Sequence, residues 1–214
     1  MLKRDCIKLS SEHDIYLNNQ RQLNHNKKNI YFDGIENQFK LLIKYLPNKC
    51  NKLLSIGCGL AVPELMFKEY YNNDIDYYLF DKTQVDLNIY FGYKEKASYY
   101  NNLNLTNKIY LEYGINNNNI NIIDADNKNL LSLPLMDIIV SYIAWGFHFP
   151  LITYLDNVLK LMHKETILII DIRNNTNVSE KLIDKYFYVL NNNDLVHHDF
   201  SKNPKSFRYI LKKK

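Results

Sequence analysis

Short apolar runs and stretches of helical periodicity alternate along most of this chain. Ile35, Phe39, Leu42, Ile43 and Leu46 fall on one helical face ahead of Pro47, and Asp33-Gly-Ile-Glu36 has the spacing of a capping box, so a helix is predicted over residues 34–46. The runs KLLSIG, DYYLFD, NINIIDAD, MDIIVSYI and TILIIDIR read as strands. Between them lie a helical segment at 63–71, a helical or turn-rich stretch at 84–114, and a helix at 151–162. That last helix carries Leu151, Ile152, Leu155, Val158, Leu159 and Met162 on one face. A helix at 179–190 follows, then DLVHHDF and SFRYILK as the final strands, with Asn203-Pro204 in the turn between them. The predicted fold is α/β: a doubly wound, mostly parallel seven-stranded sheet with helices on both faces and an antiparallel C-terminal edge hairpin. Residues 1–33 read as a polar, irregular or partly helical lead-in to one domain spanning 1–214.

Composition narrows this picture only a little. At 214 residues, 46% hydrophobic, with 18 Tyr and 10 Phe, the chain has enough apolar surface for one sizeable core. Asparagine runs such as Asn191-Asn-Asn-Asp194 fit solvated loop positions and point to no function. The net charge of +4 permits a nucleic-acid partner without arguing for one. No apolar run is long enough for a membrane span, and MLKRDCIKLSSEHD lacks the apolar stretch of a secretory signal; a soluble, cytoplasmic protein with no membrane partner is expected. Cys6, Cys50 and Cys58 lack CxxC spacing and read as free thiols. His197 and His198 point to opposite faces if they lie on a strand, so no metal site is predicted.

In a doubly wound sheet the ligand lies at the carboxyl ends of the strands, near the point where strand order reverses. The first such end is Ser55-Ile-Gly57-Cys58-Gly59-Leu-Ala61, whose glycines allow close backbone approach to a ligand ahead of a helix N-terminus. The same pattern also suits a plain strand-to-helix corner. Asp81 ends the second run about 20 residues further on, the spacing of a carboxylate that accepts ribose hydroxyls. Asp124 ends another run, and there a carboxylate can take an adenine amine while the small Ala125 leaves room for the ring. An N-cap or turn acid is the plainer reading of both.

Taken in order, LLSIGCGLA, YYLFDKT, IIDADNKNLLSLP and MDIIVSYIAWGFHF resemble the first motif, the acidic second strand end, the adenine-contacting stretch and the fourth strand of the class I S-adenosylmethionine-dependent methyltransferases. The resemblance covers residues 34–172 and implies a Rossmann-like methyltransferase fold with S-adenosylmethionine as cofactor. It implies that Gly57 and Gly59 face the methionine portion, Asp81 the ribose, and Asp124 with Ala125 the adenine. Ser55, Cys58, Lys82 and Ser141 complete the expected cofactor set. Two positions depart from the family pattern: Ser55 stands where an acid is frequent, and Ala61 where a third glycine is frequent. A serine can hold the cofactor's ammonium by a hydroxyl bond or through water, without the charge, unless another acid substitutes.

The substrate-side candidates follow the fourth and fifth strands. Methyl transfer by in-line displacement requires an aligned acceptor and removal of its proton, and His148, with an ordinary pKa of about 6.5, suits the base. Tyr142 and Trp145 stand beside it; Trp145 reads equally well as a wall of the site or as core. Asp171 and Arg173 either bind a polar acceptor or pair with each other. The expected function is methyl transfer from S-adenosylmethionine to a hydroxyl or amine of a small molecule, with a sugar or glycan precursor as one candidate acceptor. Three other readings stand beside it: an RNA methyltransferase, a non-catalytic methyltransferase-like binding subunit, and a nicotinamide-dependent oxidoreductase. The last is disfavoured because the first turn has no third glycine.

Overall fold

A computed structural model describes residues 1–19, 24–86, 100–126, 130–173, 177–194 and 206–214. Seven strands form one sheet in the order β5-β2-β1-β6-β7-β9-β8. They are β1 (Lys52–Ile56), β2 (Asp76–Asp81), β5 (Ile120–Asp124), β6 (Met136–Ser141), β7 (Met162–Arg173), β8 (Phe187–Asp194) and β9 (Ser206–Lys213). A separate two-stranded ribbon pairs β3 (Gln84–Val85) with β4 (Tyr100–Asn101). β5, β2, β1, β6 and β7 are mutually parallel, whereas β9 runs antiparallel to both β7 and β8. The chain winds from β1 outward through β2 to β5, then returns to β6 on the other side of β1. The strand order therefore reverses between β1 and β6, which is where this topology opens a crevice.

The helices are α1 (Asp14–Asn19), α2 (Lys28–Leu42), α3 (Leu65–Tyr71), α4 (Leu103–Glu112), α5 (Ile152–Leu161) and α6 (Asn177–Tyr186). Alternate residues of each strand feed the two faces. Leu53, Leu79, Val140 and Ile169 meet Phe32 and Phe39 of α2, Phe67 of α3 and Tyr110 of α4. Leu54, Phe80, Ile139 and Ile170 meet Leu155 and Val158 of α5 and Ile183 of α6. Both faces are thus apolar, which is why the central strands read as continuous hydrophobic runs rather than alternating ones. Burying each such Leu, Ile or Phe contributes about 1.5–3 kcal/mol.

Three expectations are corrected. The first helix begins at Lys28, not at residue 34, and Asp33 with Glu36 lies inside it rather than capping it. Their carboxylates are engaged elsewhere: Arg4 Nη2 donates to Asp33 Oδ1 at 2.7 Å and to Glu36 Oε2 at 2.9 Å, and the Leu2 amide donates to Glu36 Oε1. Burial opposes ionisation of Glu36, but the Arg4 bond and the Leu2 amide outweigh it and its pKa falls. The segment before α2 is more than a polar lead-in, since Leu2, Ile7, Leu9 and Leu17 are buried in the same core as β1. Finally, α6 ends at Tyr186 and the edge strand starts at once with Phe187, because Phe-Tyr-Val is β-favouring and can pair with β9. Most of DLVHHDF, the Asn203-Pro204 turn and His197-His198 lie outside the described residues, as does most of the stretch predicted at 84–114 before α4.

Candidate active site

Strand register aligns the candidate residues along one edge of the sheet. Asp81 sits opposite Asp124, Ile56 opposite Phe80, Ser55 opposite Val140, Ser141 opposite Ile170, and Asp171 opposite Arg208. The turn after β1 is drawn against the end of β2, with the Gly57 and Cys58 amides both donating to the Phe80 carbonyl, at 2.8 and 3.3 Å. Gly57 adopts φ +68°, and a Cβ there would stand 2.4 Å from Ala144 Cβ. The glycine is therefore required twice, by the left-handed backbone and by the loop packed against it. Ala61 takes φ +53° without being glycine, a strained conformation held by the Tyr110 hydroxyl donating to its carbonyl at 2.9 Å. Burial pushes the Cys58 thiol well above its usual pKa, so it is an inert apolar filler of the turn.

Asp81 joins this turn to the second strand. Its Oδ2 accepts from the Gly59 amide at 2.7 Å and from Asn101 Nδ2 at 3.2 Å, and its Oδ1 accepts from the Lys82 amide at 2.7 Å. Burial raises its pKa to about 6 against the pull of these donors, and Asp124 across the register adds to the rise. Asn101, on the ribbon strand β4, also donates to the Gly59 carbonyl at 3.0 Å, and Thr106 Oγ1 does so at 2.9 Å. Asn101 is 3% exposed and its Oδ1 has no hydrogen-bond partner among the described residues. An orphaned acceptor beside a carboxylate at a strand end fits a polyhydroxylated ligand, whose hydroxyls donate to both. Asp124 Oδ1 accepts from the Asp126 amide, Ala125 donates its amide to the Asp81 carbonyl at 2.8 Å, and Lys82 forms an ion pair with Asp126 at 2.7 Å.

Across the strand-order reversal lies the loop after β6. Ser141 is buried, donating to the Ile56 carbonyl and accepting from the Trp145 amide, both at 2.9 Å, which fastens the loop to the end of β1. Trp145 is fully buried and its indole N–H donates to the Leu151 carbonyl at 2.8 Å, so it lies in the core under α5. Ile143 sits at φ +53°, an outlier for a β-branched residue, and its amide donates to Asp171 Oδ2 at 3.1 Å. Asp171 pairs with Arg208 rather than with Arg173. Arg208 in turn places its guanidinium 4.5 Å from the Tyr142 ring centroid and donates to Gln38 of α2. Arg173 instead lies over the Phe147 ring at 4.4 Å, and Phe147 meets His148 edge to face at 5.0 Å. The substrate-side candidates thus form two groups, Tyr142 with Asp171 and Arg208, and His148 with Phe147 and Arg173.

Three site residues escaped the sequence reading. Glu64 is 1% exposed at the start of α3, and Ser55 Oγ donates to its Oε1 at 2.6 Å. Burial raises its pKa to about 7 against the opposing pull of the Ser55 hydroxyl, its own backbone and Arg208. It is the lone charge in LAVPELMF, a signal available to pattern reading. Arg208 and Asn101 carried no comparable signal.

No family model matches this sequence, and neither does any curated protein. Solved structures do match its fold. A precorrin-6y C5,15-methyltransferase from Geobacter metallireducens superposes with a TM-score of 0.52 at 13% identity, covering 82% of this chain and 86% of that one. An N-methyltransferase, NodS, from Bradyrhizobium japonicum gives 0.55 at 9% identity, covering 85% and 97%. An rRNA methylase from Streptococcus thermophilus gives 0.50 at 13% identity, covering 84% and 96%. The chain has the fold these methyltransferases share. No helix among the described residues is long and apolar enough to cross a membrane.

Proposed function

We propose that this chain, built on the methyltransferase fold, transfers a methyl group from S-adenosylmethionine to a hydroxyl or amine of a small polar acceptor. The observation that carries this reading is the convergence at Asp81: a strand-end carboxylate bonded to the Gly59 amide, with the orphaned Asn101 carbonyl beside it. A plain strand-to-helix corner could use Asp81 to hold the Gly59 amide, but it has no use for a buried side-chain acceptor left open at Asn101. When bound, S-adenosylmethionine supplies a methyl carbon on a sulfonium, open to in-line attack. Asp81 and Asn101 would hold the ribose hydroxyls, and Asp124 with Ala125 the adenine. The loop from Ser141 to His148 would face the acceptor, with His148 taking the acceptor's proton and Tyr142 bounding the space. Lys82, already paired with Asp126, would close the adenine side.

The near balance of 27 basic against 23 acidic residues supports a small acceptor over a polyanion, whose binding is dominated by phosphate neutralisation. A sugar or glycan precursor, rich in hydroxyls, suits a site whose acceptor-side groups are polar and aromatic. Calorimetry with S-adenosylmethionine and S-adenosylhomocysteine tests the reading directly. Binding is expected well below about 1 mM, and absence of heat with either at that concentration overturns it.

A further inference from the structure

The turn after β1 lacks an acid at position 55, yet a carboxylate stands beside that serine. Glu64 reaches back from the start of α3, with Ser55 Oγ fixing its Oε1 at 2.6 Å. Its second oxygen, Oε2, is buried and has no hydrogen-bond partner among the described residues. A buried carboxylate with one oxygen held and the other open is costly in an apolar core, and it persists where a further donor completes it. The groups that act on Glu64 electrostatically, Tyr31, Cys58, Tyr77, Tyr110, Tyr142 and Arg208, do not supply that donor. Arg208, the cation among them, is committed to Asp171 and Gln38.

Strand order places Glu64 relative to the other candidate residues. Asp81 and Asp124 lie on β2 and β5, on one side of β1, whereas Tyr142 and Arg208 lie after β6 and on β9, on the other. Glu64 interacts with the second group and hangs from β1 itself. A ligand whose nucleoside rests at Asp81 and which crosses the strand-order reversal therefore brings its far end toward Glu64.

We infer that Glu64, held in place by the Ser55 hydroxyl, is the acid that receives the α-ammonium at the amino-acid end of the methyl donor. The inference rests on the methyl-donor reading above. Ser55 is then a positioning residue, and the carboxylate that position 55 lacks is supplied by a residue nine further along the chain. An ammonium presents three donors and a positive charge, which meets both the open acceptor and the carboxylate's missing counter-charge.

The test compares two ligands in the intact protein by calorimetry at pH 8: S-adenosylhomocysteine, and 5′-methylthioadenosine, which keeps the nucleoside and thioether but has no amino acid. Glu64→Gln is expected to weaken S-adenosylhomocysteine about 10- to 100-fold while leaving 5′-methylthioadenosine within about twofold. Ser55→Ala, which keeps the carboxylate but frees it, is expected to show the same selectivity at smaller size and covers the case in which the Gln variant fails to fold. Unchanged affinity for S-adenosylhomocysteine in both folded variants, or equal losses for both ligands, overturns the inference. If the wild-type protein binds 5′-methylthioadenosine as tightly as S-adenosylhomocysteine, the inference also fails while the nucleoside site stands. Binding of neither ligand by the wild type overturns the methyl-donor reading itself.

Discussion

Asp171 on β7 and Arg208 on β9 face each other across an antiparallel register and close a two-point ion pair, Nε to Oδ1 at 2.7 Å and Nη2 to Oδ2 at 2.9 Å. Asp171 is fully buried, so removal of its partner leaves a charge in the core. Arg208→Ala is expected to lower stability by about 3–5 kcal/mol, read from urea denaturation. Asp171→Leu combined with Arg208→Met is expected to recover part of that loss. The recovery is incomplete because Asp171 Oδ2 also accepts from the strained Ile143 amide. A single-variant cost below about 1 kcal/mol would show that the pair is solvated.

Gly57 and Ala144 compete for one space. Gly57→Ala is expected to destabilise by about 1–3 kcal/mol through overpacking, with a further 1–2 kcal/mol, roughly, from the left-handed backbone. Adding Ala144→Gly relieves the first effect and leaves the second, so a double-mutant cycle by thermal unfolding should show favourable coupling. Strict additivity would mean the two residues are not in contact.

Asp81 is expected to govern nucleoside affinity. Asp81→Asn keeps the shape but replaces a charged acceptor, and should weaken both S-adenosylhomocysteine and 5′-methylthioadenosine by roughly 10- to 100-fold. That common loss distinguishes it from Glu64→Gln, whose effect should follow the amino acid alone. Retained affinity for both ligands would remove Asp81 from the site.

Glu64 makes stability depend on pH in a stated direction. Its folded pKa of about 7 lies above the ordinary 4.5. Both states are protonated below pH 4.5; between there and pH 7 the unfolded chain releases its proton first, so the folded state loses ground as pH rises. Relative to Glu64→Gln, the wild type should lose on the order of 3 kcal/mol between pH 4.5 and 8. Arg208, Tyr31, Tyr77, Tyr110, Tyr142 and Cys58, the groups around it, all have raised pKa values and keep their charge states across that window. Parallel stability curves for the two proteins would place Glu64 in contact with water.

His148 is expected to act in turnover and not in donor binding. His148→Ala should keep S-adenosylhomocysteine affinity and lose about 10²- to 10⁴-fold in methyl transfer once an acceptor is in hand. Unchanged turnover rejects it as the base.

The parallel strands were legible because both faces of each are covered, which makes LLSI, DIIVS and TILII mostly apolar rather than alternating. α5 was legible from its amphipathic face. The start of α2 was misread because Asp33 and Glu36 have capping-box spacing, and their use by Arg4, 29 and 32 residues away, leaves no local trace. Asp81 and Asp124 could be found because each ends an apolar run. Arg208 could not, since it alternates with apolar neighbours along β9 as any polar strand residue does, and its partner lies on another strand. The pairing of Ser55 with Glu64 was half visible: a serine where the resembled family frequently has an acid was plain, whereas the Glu64 carboxylate beside it required the turn to bring the start of α3 back against β1.

The Asp171–Arg208 pair also constrains the order in which the molecule can assemble. The two residues are 37 positions apart, about 2–7 s of chain elongation at roughly 5–20 residues per second. Throughout that interval a nascent β7 carries a carboxylate with no cation to meet it, so the inner half of the sheet cannot close dry around Asp171. Docking of β9 is therefore the step that completes the surroundings of Asp171 and Tyr142, and a ribosome-bound chain arrested before Arg208 is expected to hold the β1–β2–β5 side of the sheet without them.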